Sequence, residues 1–153
     1  MDSTARRLHL ETDADFDRAF AVIRQLRPHL TPDSFRARVR QQAAQGYRLA
    51  ALEAGGCIRS LGGYRVCDFL WCGRTMYVDD LVTDEASRSL RYGEQLFHWL
   101  KEIAVAEGCG ELHLDSGLQR GRAHRFYFRQ GMYVDDFHFV LKLAAPATDA
   151  GAE

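Results

Sequence analysis

The chain has 153 residues, 46% hydrophobic and 27% charged, with 20 basic and 21 acidic side chains and a net charge of −1. A chain of this length forms one domain that buries roughly 68–70% of its unfolded surface, and the composition excludes global disorder. The near-zero charge argues against a protein held to nucleic acid by bulk electrostatics.

Residues 5–10 alternate polar and apolar and predict a first strand. Thr12 or Asp13 then caps a helix with Phe16, Ala19, Phe20, Ile23 and Leu26 on its apolar face, which Pro28 ends. Thr31-Pro32 starts a second helix that runs to about Gln45, with a thin apolar stripe and arginines facing water. Gly55-Gly56 predicts a hairpin between YRLAALEA and CIRSLGGYRV. A second hairpin near Cys72-Gly73 leads into TMYVDDLVT, with Phe69, Leu70 and Trp71 expected to pack beneath it. A long helix from about Ser87 carries Tyr92, Leu96, Leu100 and Ile103 on one face and stops at Gly108. ELHLD reads as a strand, AHRFYFRQG as a short helix, and Met132 to Leu143 as two more strands. The order predicts a single mixed α/β domain over residues 1–145, followed by a disordered tail over 146–153.

The N-terminal residues lack the apolar stretch of a secretory signal, and no apolar run approaches the ~20 residues that span a bilayer. Cys57, Cys67, Cys72 and Cys109 show no zinc spacing. The expectation is a cytoplasmic protein with reduced thiols and no metal, membrane or nucleic-acid partner.

Three segments carry chemistry. In the strand MYVDDLVT, alternation puts Asp79 and Asp80 on opposite faces, so at least one points toward a covered face. A covered carboxylate is a stronger base near neutral pH; the other reading is a pair solvated or bound to arginine. At the strand-to-helix junction, the helix start offers free N–H groups and a positive dipole end that favour phosphate. Arg88 and Arg91 add donors there, and Gly93 either permits close approach or serves packing. In RGRAHRFYFRQGM, Arg122, Arg125 and Arg129 share one helix face and Tyr127 lies off it, as a core aromatic or a catalytic phenol. His113 and Asp115 share one sheet face but stand too close in an extended strand to make a catalytic pair, His124 and His138 read as satisfied or solvated, and no Ser-His-Asp order stands out.

In this order and spacing the segments resemble the GCN5-related N-acetyltransferase (GNAT) superfamily. Arg88-Ser89-Leu90-Arg91-Tyr92-Gly93 keeps the first Arg and last Gly of its acetyl-CoA motif, and Ala123, Tyr127, Gly131 and Met132 match its later pattern. The resemblance implies a central, mostly antiparallel sheet of about seven strands flanked by about four helices. It implies acetyl-CoA as cosubstrate and a primary amine as acceptor, on a small molecule or a protein, and it admits a homodimer. Leu81, Val82 and Thr83 would pair with the pantetheine arm, and the N–H near Leu81 would stabilise charge on the thioester oxygen. The amides of Leu90, Arg91, Tyr92, Gly93 and Glu94, with Arg88, Ser89 and Arg129, would serve the CoA phosphates. Tyr127 would protonate the departing thiolate, and Asp79, with Asp80 beside it, would deprotonate a cationic acceptor. The second reading is a degenerate GNAT domain that binds acyl-CoA or a protein partner without turnover. Two positions depart from the pattern: Arg91 replaces a loop glycine, and Arg120 replaces an asparagine that contacts pantetheine. Either the loop needs no positive φ at position 91, or CoA binding is weakened, or the arginine itself reaches a phosphate.

Overall fold

The computed structural model describes residues 5–144. The tail over 146–153 lies outside the described residues. Two compact units emerge, Met1–Leu114 and Asp115–Glu153.

The first unit carries a sheet in the order β1 (Arg6–Leu10), β2 (Arg48–Ala54), β3 (Cys57–Phe69), β4 (Gly73–Thr83) and β5 (Glu111–Leu114). The first four strands pair antiparallel, whereas β5 joins β4 in parallel. The sequence expectation of about seven strands is not met: the described residues form five. Gly55 and Gly56 both take positive φ, as the tight β2–β3 hairpin requires.

Helix α1 (Asp13–Leu26) starts on a capping box in which Thr12 and Asp15 satisfy each other's backbone N–H groups. Thr31 and Ser34 repeat the device for α2 (Pro32–Ala43), with Pro32 in the first turn. Both helices cover one sheet face, where Phe16, Ala19, Ile23, Phe35 and Val39 bury against Leu49, Leu61 and Val82. Helix α3 (Tyr92–Ala106) covers the other face, with Leu96, Trp99 and Leu100 against Leu52, Tyr64, Met76 and Val78. It starts later than expected from Ser87. A 3-10 turn at Glu85–Ser87 comes first, and positive φ at Ser89 and Arg91 keeps the intervening loop out of helical geometry.

The β3–β4 tip also departs from expectation: Leu70 and Trp71 are exposed rather than packed beneath the hairpin. Trp71 meets the edge of His113 at 5.2 Å between ring centroids.

In the second unit, α4 (Gly121–Arg129) is the one helix or strand among the described residues. It ends in a Schellman turn: Gly131 at positive φ donates to the Phe128 carbonyl, and the Met132 N–H donates to Tyr127. The two strands expected over Met132 to Leu143 do not form, and Tyr133, Phe137, Phe139 and Leu143 are exposed. Within this unit α4 offers no sheet edge, and an isolated hairpin is marginal in water. No described helix is long and apolar enough to cross a membrane.

Candidate active site

The pairing of β4 with β3 steps from Tyr64↔Val78 to Gly63↔Asp80, so Asp79 is the extra residue of a β-bulge. Before the bulge, Met76 and Val78 face α3; after it, Leu81 does so and Val82 faces α1 and α2. This change of phase overturns the expectation that the adjacent aspartates lie on opposite faces. Both line one cavity, with Arg27, Gln42 and Tyr77.

Neither carboxylate is unpartnered. Asp79 accepts from Arg65 Nε at 3.1 Å and from its terminal nitrogen at 2.6 Å. Asp80 accepts from Arg27 Nε at 2.9 Å and from the Tyr47 hydroxyl at 2.8 Å. Arg27 precedes Pro28, where helical backbone is disfavoured, and caps α1 with non-helical dihedrals. Its guanidinium also donates to the Asp79 carbonyl at 3.1 Å. The aspartates therefore follow the arginine-bound reading, and the acidic strand does not present a bare negative surface.

Tyr47 completes this cluster. Its phenol is buried, and burial together with the charges of Asp80 and Asp79 raises its pKa well above the ordinary value. It therefore stays protonated and donates. It fits because residue 63 is glycine: a Cβ there would stand 1.9 Å from the Tyr47 hydroxyl. A cavity of about 290 Å³ opens beside it, with Ile23, Leu30, Phe35 and Val39 as apolar wall and Arg27, His29, Arg38, Gln42 and Asp80 as polar lining.

The other half of the candidate site is backbone. Pairing of β5 with β4 ends at Val78↔Leu114, while β4 runs on to Thr83. Leu81, Val82 and Thr83 remain paired to Gly62, Leu61 and Ser60 of β3, but their opposite edge extends past β5. The first turn of α3 lies against the end of this edge, since a Cβ on Gly93 would come within 2.8 Å of Thr83 Oγ1. Gly93 therefore serves packing, which sets the first turn of α3 against Thr83 at the end of β4. No side-chain hydrogen bond caps the start of α3, and a helix start is the end that favours an anion. Arg88 lies 3.9 Å from Glu85, and Leu90 is exposed.

Arg91 answers the question its sequence raised. The loop does require a left-handed residue there, with φ 65°, and the side chain turns to Glu94 at 2.8 Å. Glycine takes a left-handed φ without the steric clash that a Cβ brings there, and the exposed pair with Glu94 adds little. Arg91→Gly is therefore expected to raise Tm modestly. Thermal unfolding by circular dichroism checks this, with Arg91→Ala as the control that removes the charge and keeps the strain.

Tyr127 and Arg129 stand on α4 in the second unit. Burial raises the Tyr127 phenol above its ordinary pKa, while Arg120 pulls it down, and Arg129 is exposed in the last turn. Three histidines have local partners. His124 Nε2 meets the Gly117 carbonyl at 2.9 Å, His138 lies 3.4 Å from Asp115, and His113 Nε2 lies 2.6 Å from Glu111. Among the described residues one group has metal-ligand chemistry: Cys72, Glu111 and His113, with ligand atoms all within 4.8 Å of one another. It sits at the start of β4, the end away from the aspartates.

Sequence reasoning did not identify Tyr47, Arg27, Arg65 or Arg38. The available signal was the pair Gly62-Gly63 inside a strand, which marks a close approach by another group.

The sequence model of the Acetyltransferase (GNAT) family matches residues 13–132. The uncharacterized N-acetyltransferase YhdJ of Bacillus subtilis is 30% identical over 132 residues, covering 85% of this chain and 93% of that protein. Glucosamine 6-phosphate N-acetyltransferase 1 of rice, Oryza sativa, is 35% identical over 117 residues, 71% of each chain. Among solved structures, glucosamine-6-phosphate N-acetyltransferase from Arabidopsis thaliana superposes with a TM-score of 0.74 at 21% identity, covering 92% of this chain and 99% of that one. That likeness is one of fold.

Proposed function

The chain belongs to the Acetyltransferase (GNAT) family, and from that premise we propose that it moves the acetyl group of acetyl-CoA to a primary amine by direct attack. The observation that carries the reading is the free edge of β4 beyond Val78, which meets the uncapped start of α3 and lies beside the cavity holding Asp79 and Asp80.

The backbone present fits the cosubstrate. Main-chain groups of Leu81, Val82 and Thr83 would pair with the pantetheine arm as an added strand, and amides from Leu90 to Glu94 would hold the pyrophosphate. Arg88 and Ser89 flank that cradle, and Arg129 would add charge for phosphate. Bound acetyl-CoA supplies an activated thioester. The chain's own contribution is to orient and to move protons: the Leu81 N–H stabilises charge growing on the thioester oxygen. Asp79 takes a proton from the acceptor ammonium, directly or through water, while Asp80, held by Arg27 and Tyr47, fixes the amine. Two guanidinium contacts on Asp79 leave part of its lone-pair capacity for that ammonium. Tyr127, protonated at neutral pH, returns a proton to the CoA thiolate.

Calorimetric titration with acetyl-CoA, followed by a CoA-release assay on a panel of amines, tests the reading. Binding and turnover are expected. Binding without turnover on a broad panel would leave an acyl-CoA sensor, and absence of binding would remove both roles. Within an active enzyme, Asp79→Asn is expected to lower kcat by about 10²-fold or more with acetyl-CoA affinity little changed. An equal loss on restoring the carboxylate as Asp79→Glu would point to the Arg65 contact instead.

A further inference from the structure

The acceptor cavity is not the anionic pocket that two adjacent aspartates suggest. Asp79 is matched by Arg65 and Asp80 by Arg27. Arg38 also lines the cavity, yet among the described residues it has no ion pair or hydrogen bond, and neither does His29. Its neighbours on α2 behave differently: Arg36 pairs with Asp17 and Asp33, and Arg40 with Asp13. The cavity is therefore lined by one unmatched guanidinium and one unmatched imidazole, both exposed to solvent, beside an apolar wall, and it adjoins the two carboxylates through Arg27, Gln42 and Asp80.

We propose that the acceptor is a small amine that also carries an anionic group, bound at two points. This deepens the acetyl-transfer reading and rests on it. The ammonium goes to the Asp79–Asp80 end, beside the free edge of β4. The anion goes to Arg38, whose planar fork of N–H donors matches phosphate, phosphonate or carboxylate oxygens, with His29 as a second donor. Phe35, Val39, Leu30 and Ile23 cover the carbon frame between them. A volume of about 290 Å³ suits a molecule of amino-sugar size and sits near the lower limit of ligand pockets. A polyamine has no group for Arg38 and would bring like charge against it.

The test compares kcat/KM for glucosamine 6-phosphate, glucosamine, β-alanine and spermidine, with equilibrium binding of glucosamine 6-phosphate measured separately. At least one anionic amine is expected to exceed both glucosamine and spermidine by about tenfold or more, and the ratio of phosphate over carboxylate tells which anion the site prefers. Arg38→Ala is expected to bring the ratio of the preferred anionic amine over glucosamine down to about one, and Arg38→Lys to restore part of it. Arg36→Ala, two residues away on α2 and outside the cavity, is expected to keep the ratio. Spermidine or glucosamine as the best substrate would overturn the proposal and leave acetyl transfer standing. Absence of turnover on every amine would remove the parent reading. Binding of glucosamine 6-phosphate that is weakened at least tenfold by Arg38→Ala would then still support the anion subsite, and binding unaffected by it, or none, would overturn it.

Discussion

Tyr127→Phe is expected to lower kcat by about 10²–10⁴-fold, the usual share of a positioned general acid, while acetyl-CoA binds within about twofold of its original affinity. The substitution removes one hydroxyl and keeps the ring, so the Schellman turn anchored on the Tyr127 carbonyl survives. Burial raises the phenol's pKa, which keeps it protonated to higher pH than a free tyrosine. The sign follows for the rate profile. Activity should climb with pH as the acceptor amine loses its proton, and any fall caused by loss of the Tyr127 proton should begin above pH of about 10. Stopped-assay kinetics of CoA release across pH, beside calorimetry of acetyl-CoA, measures both. A kcat within threefold of the parent would show that water protonates the thiolate, and would take Tyr127 out of its assigned role.

The second large effect is expected at a residue with no functional group. Gly63→Ala places a methyl carbon 1.9 Å from the Tyr47 hydroxyl and 2.5 Å from the ring carbon that bears it, and no rotation of an alanine relieves that. Tyr47 must move, its hydrogen bond to Asp80 breaks, and a buried phenol is left to find another partner. Overpacking and the lost hydrogen bond together cost about 2–4 kcal/mol, which lowers Tm by roughly 4–16 °C. Because Tyr47 and Asp80 line the proposed acceptor cavity, KM for the amine should rise at least tenfold while acetyl-CoA affinity stays within about twofold. Tyr47→Phe separates the two causes. It deletes the hydrogen bond and keeps the ring, so it should cost less stability than Gly63→Ala. Equal losses would mean that the clash itself is absorbed.

Most of the scaffold was legible because it is written locally. Thr12 with Asp15 and Thr31 with Pro32 mark helix starts within four residues, Gly55-Gly56 marks a turn within two, and the stripe from Leu96 to Leu100 marks a buried face. Of the candidate site, the sequence pointed to the backbone half, the loop from Arg88 to Gly93 and the edge from Leu81 to Thr83, which are close in sequence and meet at Gly93 and Thr83. Its side-chain half depends on partners far apart in the chain, Arg27 with Asp80 and Tyr47 with Asp80. The bulge hid it further, since strict alternation assigns Asp79 and Asp80 to different faces. The predicted strands beyond Met132 failed for a related reason. Their pattern is strand-like, but a strand needs an adjacent edge, and the pattern alone does not provide one.

That bulge has one more implication. Asp79 is inserted between two stretches that pair regularly with β3, Gly73 to Val78 on one side and Asp80 to Thr83 on the other. A chain without it would close the ladder with Val78 and Asp80 as consecutive residues, still facing the helices they face now. The alternation of faces from Val78 to Asp80 would then be regular, and the carboxylate held by Arg65 would be gone. Loss of that one residue would take a carboxylate from the cavity and leave Asp80 with Arg27 and Tyr47 in place.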